Sequence, residues 1–213
     1  MLSVRDLACT RAGRLIFSGL TFSAQAGQLV QVRGANGSGK SSLLRLLCGL
    51  LPPARGEVHW QGRPIAPQGA DYTRQLAYLG HADGLRGELT LRENLDFLLH
   101  IAASRPDAAA IRTVLARLQL AGRESDPVRL LSQGQRRRLA LARVLLSGRP
   151  LWLLDEPHAG LDADGEQVLD ACLAEHVQGG GLAVVATHRA GSGETLDMDE
   201  LNDAIRSDPD HRP

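Results

Sequence analysis

Lysine is all but missing from this chain: of 24 basic residues only Lys40 is a lysine, and the rest are arginine. Aromatic residues make up only 3% of the 213 positions, so there is little from which to build a stacking platform for nucleic-acid bases. The 24 acidic residues match the 24 basic ones, and zero net charge removes the bulk electrostatic motive for a nucleic-acid partner. Cysteine is sparse too. Cys9, Cys48 and Cys172 are an odd number at no metal-ligand spacing, a usage that suits a reducing cytoplasm. Cys48 is expected to be a small core residue. No apolar run approaches the ~18 residues that a membrane-spanning helix needs. The opening Met1-Leu2-Ser3-Val4-Arg5-Asp6 shows no charged-then-apolar signal pattern. The expectation is a cytoplasmic chain, with any membrane role borrowed from another subunit.

What is present describes an ordinary globular protein, 43% hydrophobic and 23% charged, long enough for one domain with a small lobe. Its organising stretch is Gly34-Ala35-Asn36-Gly37-Ser38-Gly39-Lys40-Ser41-Ser42, which fits G-x-x-x-x-G-K-[ST]. The apolar run Leu29-Val30-Gln31-Val32 precedes it and a helical pattern follows, the strand–turn–helix context that the motif requires. Glycines let successive backbone N–H groups turn inward toward phosphate oxygens, and the helix start adds its positive end. Lys40 is placed for the β- and γ-phosphates, and the Ser41 hydroxyl for Mg²⁺. This predicts nucleoside-triphosphate binding.

Taken in order, residues 2–7, 15–22 and 28–33 read as strands, 41–51 as a helix stopped by Gly49 and Pro52-Pro53, and 56–60 as a strand. A turn-rich segment at 62–69 leads to a buried strand at 76–79. Residues 91–103 and 107–118 then carry helical spacing; Ile111, Val114, Leu115 and Leu118 fall at i, i+3, i+4 and i+7. Two helices in succession, followed by a third at 135–146, predict a helical subdomain at about 84–145. The alternation resumes with a strand at 151–154, a helix at 164–176 and a strand at 182–186. The fold class is therefore α/β with a largely parallel core sheet, and ligands are expected at the carboxyl ends of its strands.

Three further constellations carry chemistry. Asp155-Glu156 closes an apolar strand: Asp155 is suited to hold Mg²⁺ opposite Ser41, and Glu156 to orient or deprotonate water. By itself, such a pair could be an exposed acidic strand end. Leu131-Ser132-Gln133-Gly134-Gln135 opens a helix and offers a second anion-binding start, best spent on a nucleotide held by another copy, although a plain serine cap would look the same. Thr187-His188 ends the last strand, where the imidazole can reach toward a γ-phosphate. Arg136-Arg137-Arg138 reads as the charged outer face of its helix.

These motifs, in this order, resemble the ATP-binding subunits of ABC transporters over residues 2–188. Residues 34–42 resemble Walker A, 131–135 the signature loop and 151–156 Walker B; Ala159-Gly160-Leu161-Asp162 resembles the D-loop and His188 the switch histidine. The resemblance implies a P-loop NTPase core of ABC ATPase type over 1–190 and ATP with Mg as cofactors. It also implies an integral-membrane partner subunit and a head-to-tail homodimer with two ATP molecules at the seam. It places the chain peripherally on the cytoplasmic face of the inner membrane. Tyr78-Leu79-Gly80-His81-Ala82-Asp83-Gly84-Leu85 and Leu7-Ala8-Cys9-Thr10-Arg11 further resemble the subunits that serve haem export in cytochrome c biogenesis.

The pattern is departed from in places. His81 stands at the Q-loop position where glutamine is usual, Arg11 stands where an aromatic residue would stack on adenine, and Gln133 replaces a small signature residue. His158 and Gly160 are atypical beside the D-loop. The end of the chain, 191–213, is acidic; Leu196, Leu201 and Ile205 allow a short amphipathic helix, but a solvated, partly disordered tail is the expectation. Two other functions remain open at this point: a non-transport ABC ATPase of translation or DNA repair, and a weakly hydrolysing nucleotide-gated interaction subunit.

Overall fold

The computed structural model describes residues 1–65, 69–189 and 193–207, with the backbone alone from 203 to 207. Part of the expected turn at 62–69, the Ile205 side chain and the last six residues lie outside the described residues.

Strands β1 (Leu2–Arg11) and β2 (Arg14–Ala24) form an antiparallel hairpin. The buried positions of β1 are Leu2 and Val4, then Leu7, Ala8 and Cys9; the alternation breaks where Asp6 takes φ 48 and the register shifts. Strand β3 (Leu29–Arg33) leads through the glycine loop into α1 (Lys40–Leu47). Strands β4 (Arg55–Trp60) and β5 (Arg63–Pro64) then complete a four-stranded sheet in the order β2-β1-β4-β5.

A short helix α2 (Ala70–Thr73) precedes β6 (Leu76–Leu79). The helical stretch comprises α3 (Leu91–Ile101), α4 (Ala108–Arg117) and α5 (Gln133–Leu146), with one 3-10 turn at Val128–Leu130. Thr90 and Glu93 close a reciprocal capping box that fixes where α3 begins. Strand β7 (Leu151–Asp155), helix α6 (Ala163–Gln178) and strand β8 (Leu182–Ala186) follow.

The second sheet has the order β6-β7-β8-β3-β9, where β9 is Glu194–Asp197, with every pairing parallel, as the alternation of strands and helices predicts. Its central strands β7 and β8 are buried along their whole length because both faces are covered. Leu151, Leu153, Leu182 and Val184 enter one core; Trp152, Leu154, Ala183 and Val185 enter the other. Helix α1 belongs to the first core with the residues of β1 and β2, so Leu43, Leu44, Leu46 and Leu47 are all buried to within 1%. Each such leucine contributes about 1.5–3 kcal/mol by leaving water. The apolar faces of α3, α4 and α5 share the second core with the sheet rather than forming one of their own.

The acidic end differs from the expected solvated tail. Strand β9 (Glu194–Asp197) pairs in parallel with β3, and α7 (Met198–Ser207) follows it. Leu196 and Leu201 pack on the first core and Met198 is fully buried. The open edge of β3 supplies the reason: an unpaired strand edge accepts any extended segment that can hide its alternate side chains.

Candidate nucleotide site

The glycine loop joins β3 to α1, and the way α1 begins gives the loop its character. The residue before the helix is Gly39, which has no side chain to cap it, and the first turn holds no acidic residue. The first bond within the helix runs from the Leu43 N–H to the Gly39 carbonyl at 2.8 Å, so the N–H groups of Lys40, Ser41 and Ser42 have no partner inside it. Gly39 sits at φ +110, and a Cβ there would come within 2.8 Å of Ile16 Cγ2. No other residue fits that position without a shift of β2.

Lys40 is 7% exposed and folded back on its own loop. Its Nζ donates to the carbonyls of Gly34 at 2.7 Å and Ala35 at 3.1 Å and lies 3.3 Å from His188 Nε2. The same His188 nitrogen is 3.1 Å from Glu156 Oε1, at ion-pair distance but not aligned for a hydrogen bond. With the ring proton on Nδ1, Nε2 accepts from the ammonium. Lys40 at the start of α1, Glu156 just past β7 and His188 just past β8, 148 positions apart at the extreme, thus meet at one edge of the sheet.

Asp155 ends β7 and is 1% exposed, yet its Oδ2 has no hydrogen-bond partner. A buried carboxylate oxygen left bare is costly, and a cation bound beside it removes the cost. The donor set of a carboxylate and a serine hydroxyl suits a hard oxygen-seeking ion such as Mg²⁺. Glu156 takes φ +47, a left-handed conformation that costs a side-chain-bearing residue about 1 kcal/mol or more.

Arg137 holds that turn, which corrects the expectation of a charged outer face for residues 136–138. Arg137 and Arg138 are 3% and 7% exposed. Arg137 Nη2 donates to the carbonyls of Asp155 and Glu156, Nε to that of Pro157, and Nη1 to the Gly80 carbonyl and to Asp83 Oδ1. All five guanidinium N–H groups are used. The sequence did carry a signal for this: Arg137 lies four residues before Leu141 and seven before Val144, on the buried stripe of α5.

At 131–135, Ser132 caps α5 in a capping box. Its hydroxyl accepts from the Gln135 N–H at 3.2 Å, and Gln135 Oε1 accepts from the Ser132 N–H at 2.9 Å. The serine-cap reading is therefore realised, and the N–H groups of Gln133 and Gly134 at the helix start are left over. Leu131 is buried in the second core. Gly134 lies against the D-loop, where an added Cβ would be 2.9 Å from the Gly160 carbonyl. Asp162 accepts from the Gly165 N–H and from Arg138, contacts that hold its carboxyl below the usual aspartate range.

Other expected positions are less engaged. Asn36 and Gly37 are exposed on the loop, and the N–H of the buried Ser38 donates to the Ala35 carbonyl at 3.2 Å. His81 is exposed and its ring makes no hydrogen bond among the described residues, while its neighbours Gly80 and Asp83 are bound to Arg137. Arg11 is exposed across from Arg14 in the β1–β2 hairpin and makes no bond to the loop. Cys48 is a buried thiol as expected, pushed up to about 11 by burial. A cavity of about 640 Å³ lies on the far side of the sheet, lined in part by Gln31, His158, Leu173 and Val185; none of its residues belongs to the glycine loop. No helix among the described residues is long and apolar enough to cross a membrane.

A glycine cradle on the carboxyl edge of a parallel sheet, with an acidic pair and a histidine from neighbouring strand ends, defines a P-loop ATPase. The ABC transporter family matches residues 17–159, and the chain belongs to that family of ATPases. An ATP-binding subunit of an ABC transporter has the same fold with a TM-score of 0.80 and 29% identity, covering 88% of this chain and 79% of that one. An ABC transporter ATP-binding protein from Pyrococcus furiosus shares the fold at TM-score 0.84 and 21% identity, over 94% and 98%. Closer in sequence is the cytochrome c biogenesis ATP-binding export protein CcmA 2 of Cupriavidus metallidurans, 47% identical over 96% of this chain and 97% of its own. CcmA of Bordetella bronchiseptica is 49% identical over 94% and 90%.

Proposed function

We propose that this chain is the ATP-hydrolysing subunit of the exporter that serves haem delivery in cytochrome c biogenesis, acting as a head-to-tail pair beneath an integral-membrane partner on the cytoplasmic face of the inner membrane. The observation that carries the enzymatic part is the convergence of Lys40, His188 and Glu156 on one edge of the sheet. The cytochrome c part is supported by relatives near 47% identity over nearly the whole chain.

In this reading the N–H groups left free at the start of α1 bind the β- and γ-phosphates, and Lys40 exchanges its loop carbonyls for phosphate oxygens. Ser41 and Asp155 would hold Mg²⁺, which supplies positive charge against the phosphate oxygens. Glu156 accepts a hydrogen bond from the attacking water and takes its proton as the new O–P bond forms and the bond from Pγ to the bridging oxygen of ADP breaks. His188 donates toward the γ-phosphate from Nε2 in the tautomer that carries the ring's own proton there, which becomes available once Lys40 leaves that nitrogen for the phosphate oxygens. The signature loop from Leu131 to Gln135 closes over the partner copy's nucleotide, offering the N–H groups of Gln133 and Gly134 that the Ser132–Gln135 capping box leaves over. Asp162 shapes the D-loop beside that seam. His81 stands at the outlet toward the membrane subunit, and Arg11 offers a guanidinium plane to the base.

Glu156→Gln tests this. Turnover of MgATP should fall about 10²- to 10⁴-fold while nucleotide binding persists and ATP-bound pairs accumulate in sedimentation or light scattering. Wild-type turnover in that variant would remove Glu156 from the mechanism.

A further inference from the structure

The acidic end of the chain turns back onto the phosphate loop. Helix α7 starts directly after β9, and Asp197 Oδ1 accepts from the Asp199 and Glu200 N–H groups to fix that start. One turn of the helix then holds the loop at two points. Asp199 Oδ2 accepts from the Ala35 N–H at 2.7 Å, and Asn202 Nδ2 donates to the Ser38 carbonyl at 3.0 Å. Both pairs lie 164 positions apart in sequence, so the contacts are tertiary and not local turn chemistry. Met198 is fully buried beneath them, and a Cβ added to Gly34 would come within 3.1 Å of the Met198 side chain.

The placement of the carboxylate matters. It takes the N–H of Ala35, whose carbonyl meanwhile accepts from Lys40 and from the Ser38 N–H. It leaves untouched the free N–H groups of Lys40, Ser41 and Ser42 at the helix start. Asp199 therefore does not fill the phosphate cradle; it pins the loop's outer rim from behind.

We infer that α7 is a positioning element of the nucleotide site. Asp199 and Asn202 hold the loop in its binding shape before nucleotide arrives, so that binding does not have to order it. Preorganisation of this kind shows in affinity and not in the chemical step. The inference rests on the phosphate-loop reading above and assigns the C-terminal segment a part in it.

The test uses the full-length protein with Asp199→Ala, Asp199→Asn and Asn202→Ala. It measures MgATP and MgADP affinity by titration, KM against kcat, and amide hydrogen exchange over residues 34–38. Asp199→Ala should weaken both nucleotides about tenfold, the change expected from losing one charge-assisted hydrogen bond, with kcat within twofold. Asp199→Asn keeps an acceptor and should stay within about twofold of wild type. Exchange over 34–38 should quicken in Asp199→Ala and Asn202→Ala while the protection of α5 is unchanged. Unaltered or tighter binding by Asp199→Ala, or unaltered exchange in the loop, would overturn the inference; tighter binding would mean that the carboxylate merely repels phosphate. If wild-type protein itself fails to bind MgATP, the phosphate-loop reading falls with it.

Discussion

Two helices in this molecule begin at sites proposed to take the same kind of ligand, and they are built in opposite ways. Helix α1 follows a glycine with no capping side chain, and nothing of its own covers its first N–H groups. Helix α5 follows Ser132 inside a complete capping box. The first start is stable only because its four leucines are locked between two sheets, so packing and not local capping stabilises it. The second is closed by its own side chains and also braced by Arg137 and Arg138, which tie it to the turn after β7 and to Asp162. In the proposed function the uncapped start holds a nucleotide within one chain, and the capped one meets a nucleotide brought by another.

The contrast can be broken most severely at Lys40. Lys40→Ala removes the only ammonium at the open start, and MgATP affinity should fall by about 10²-fold or more, measured by titration. Thermal stability should change far less, because the bonds lost are to loop carbonyls that water can reach. Ser132→Ala should behave in the reverse sense. Losing the cap should destabilise the fold by about 1 kcal/mol in denaturant unfolding, leave the affinity of a single copy for MgATP unchanged, and reduce turnover in the paired form. Equal effects of the two variants on affinity would erase the distinction drawn between the helix starts.

The smallest expected effect sharpens the bracing of α5. The folded-state carboxyl of Asp162 titrates below its ordinary value of 3.8, first because of the Gly165 N–H and then because of Arg138. A depressed carboxyl adds stability in full above the ordinary value, and that stability fades as the pH falls through the folded-state value below it. Asp162→Asn should flatten the acid limb of the melting temperature against pH. An acid limb identical to that of wild type would show that the contact contributes nothing in solution.

Much of this arrangement was readable in the chain. The glycine loop, the acidic pair after an apolar strand and the terminal histidine each have a local pattern, and the parallel sheet follows from strands alternating with helices. The strand at Leu76–Leu79 and the helices at 91–103 and 107–118 were expected to within about two residues at either end. What stayed hidden has a common cause. Arg137 reads as one member of a basic run until the carbonyls of Gly80, Asp155, Glu156 and Pro157 are seen around it. Asp199 reads as one acid in an acidic tail until β9 finds the edge of β3 and carries it to Ala35. Backbone N–H and C=O groups have no sequence signature, so the chain shows at most that a residue such as Arg137 falls on a buried stripe, not which carbonyls or N–H groups it meets.

By itself the sequence determined which chemical groups this protein has for handling a triphosphate, because those groups are set by short-range pattern: turn glycines, one lysine, carboxylates and a histidine at strand ends. Only the tertiary structure decided that Lys40, Glu156 and His188 meet, which backbone groups Arg137 grips, and that the acidic end returns to the loop. The reason lies in distance along the chain. Contacts that close over 18 positions, as at Arg137, or over 164, as at Asp199, are selected by how two cores pack on a shared sheet, and no local window shows which partners meet.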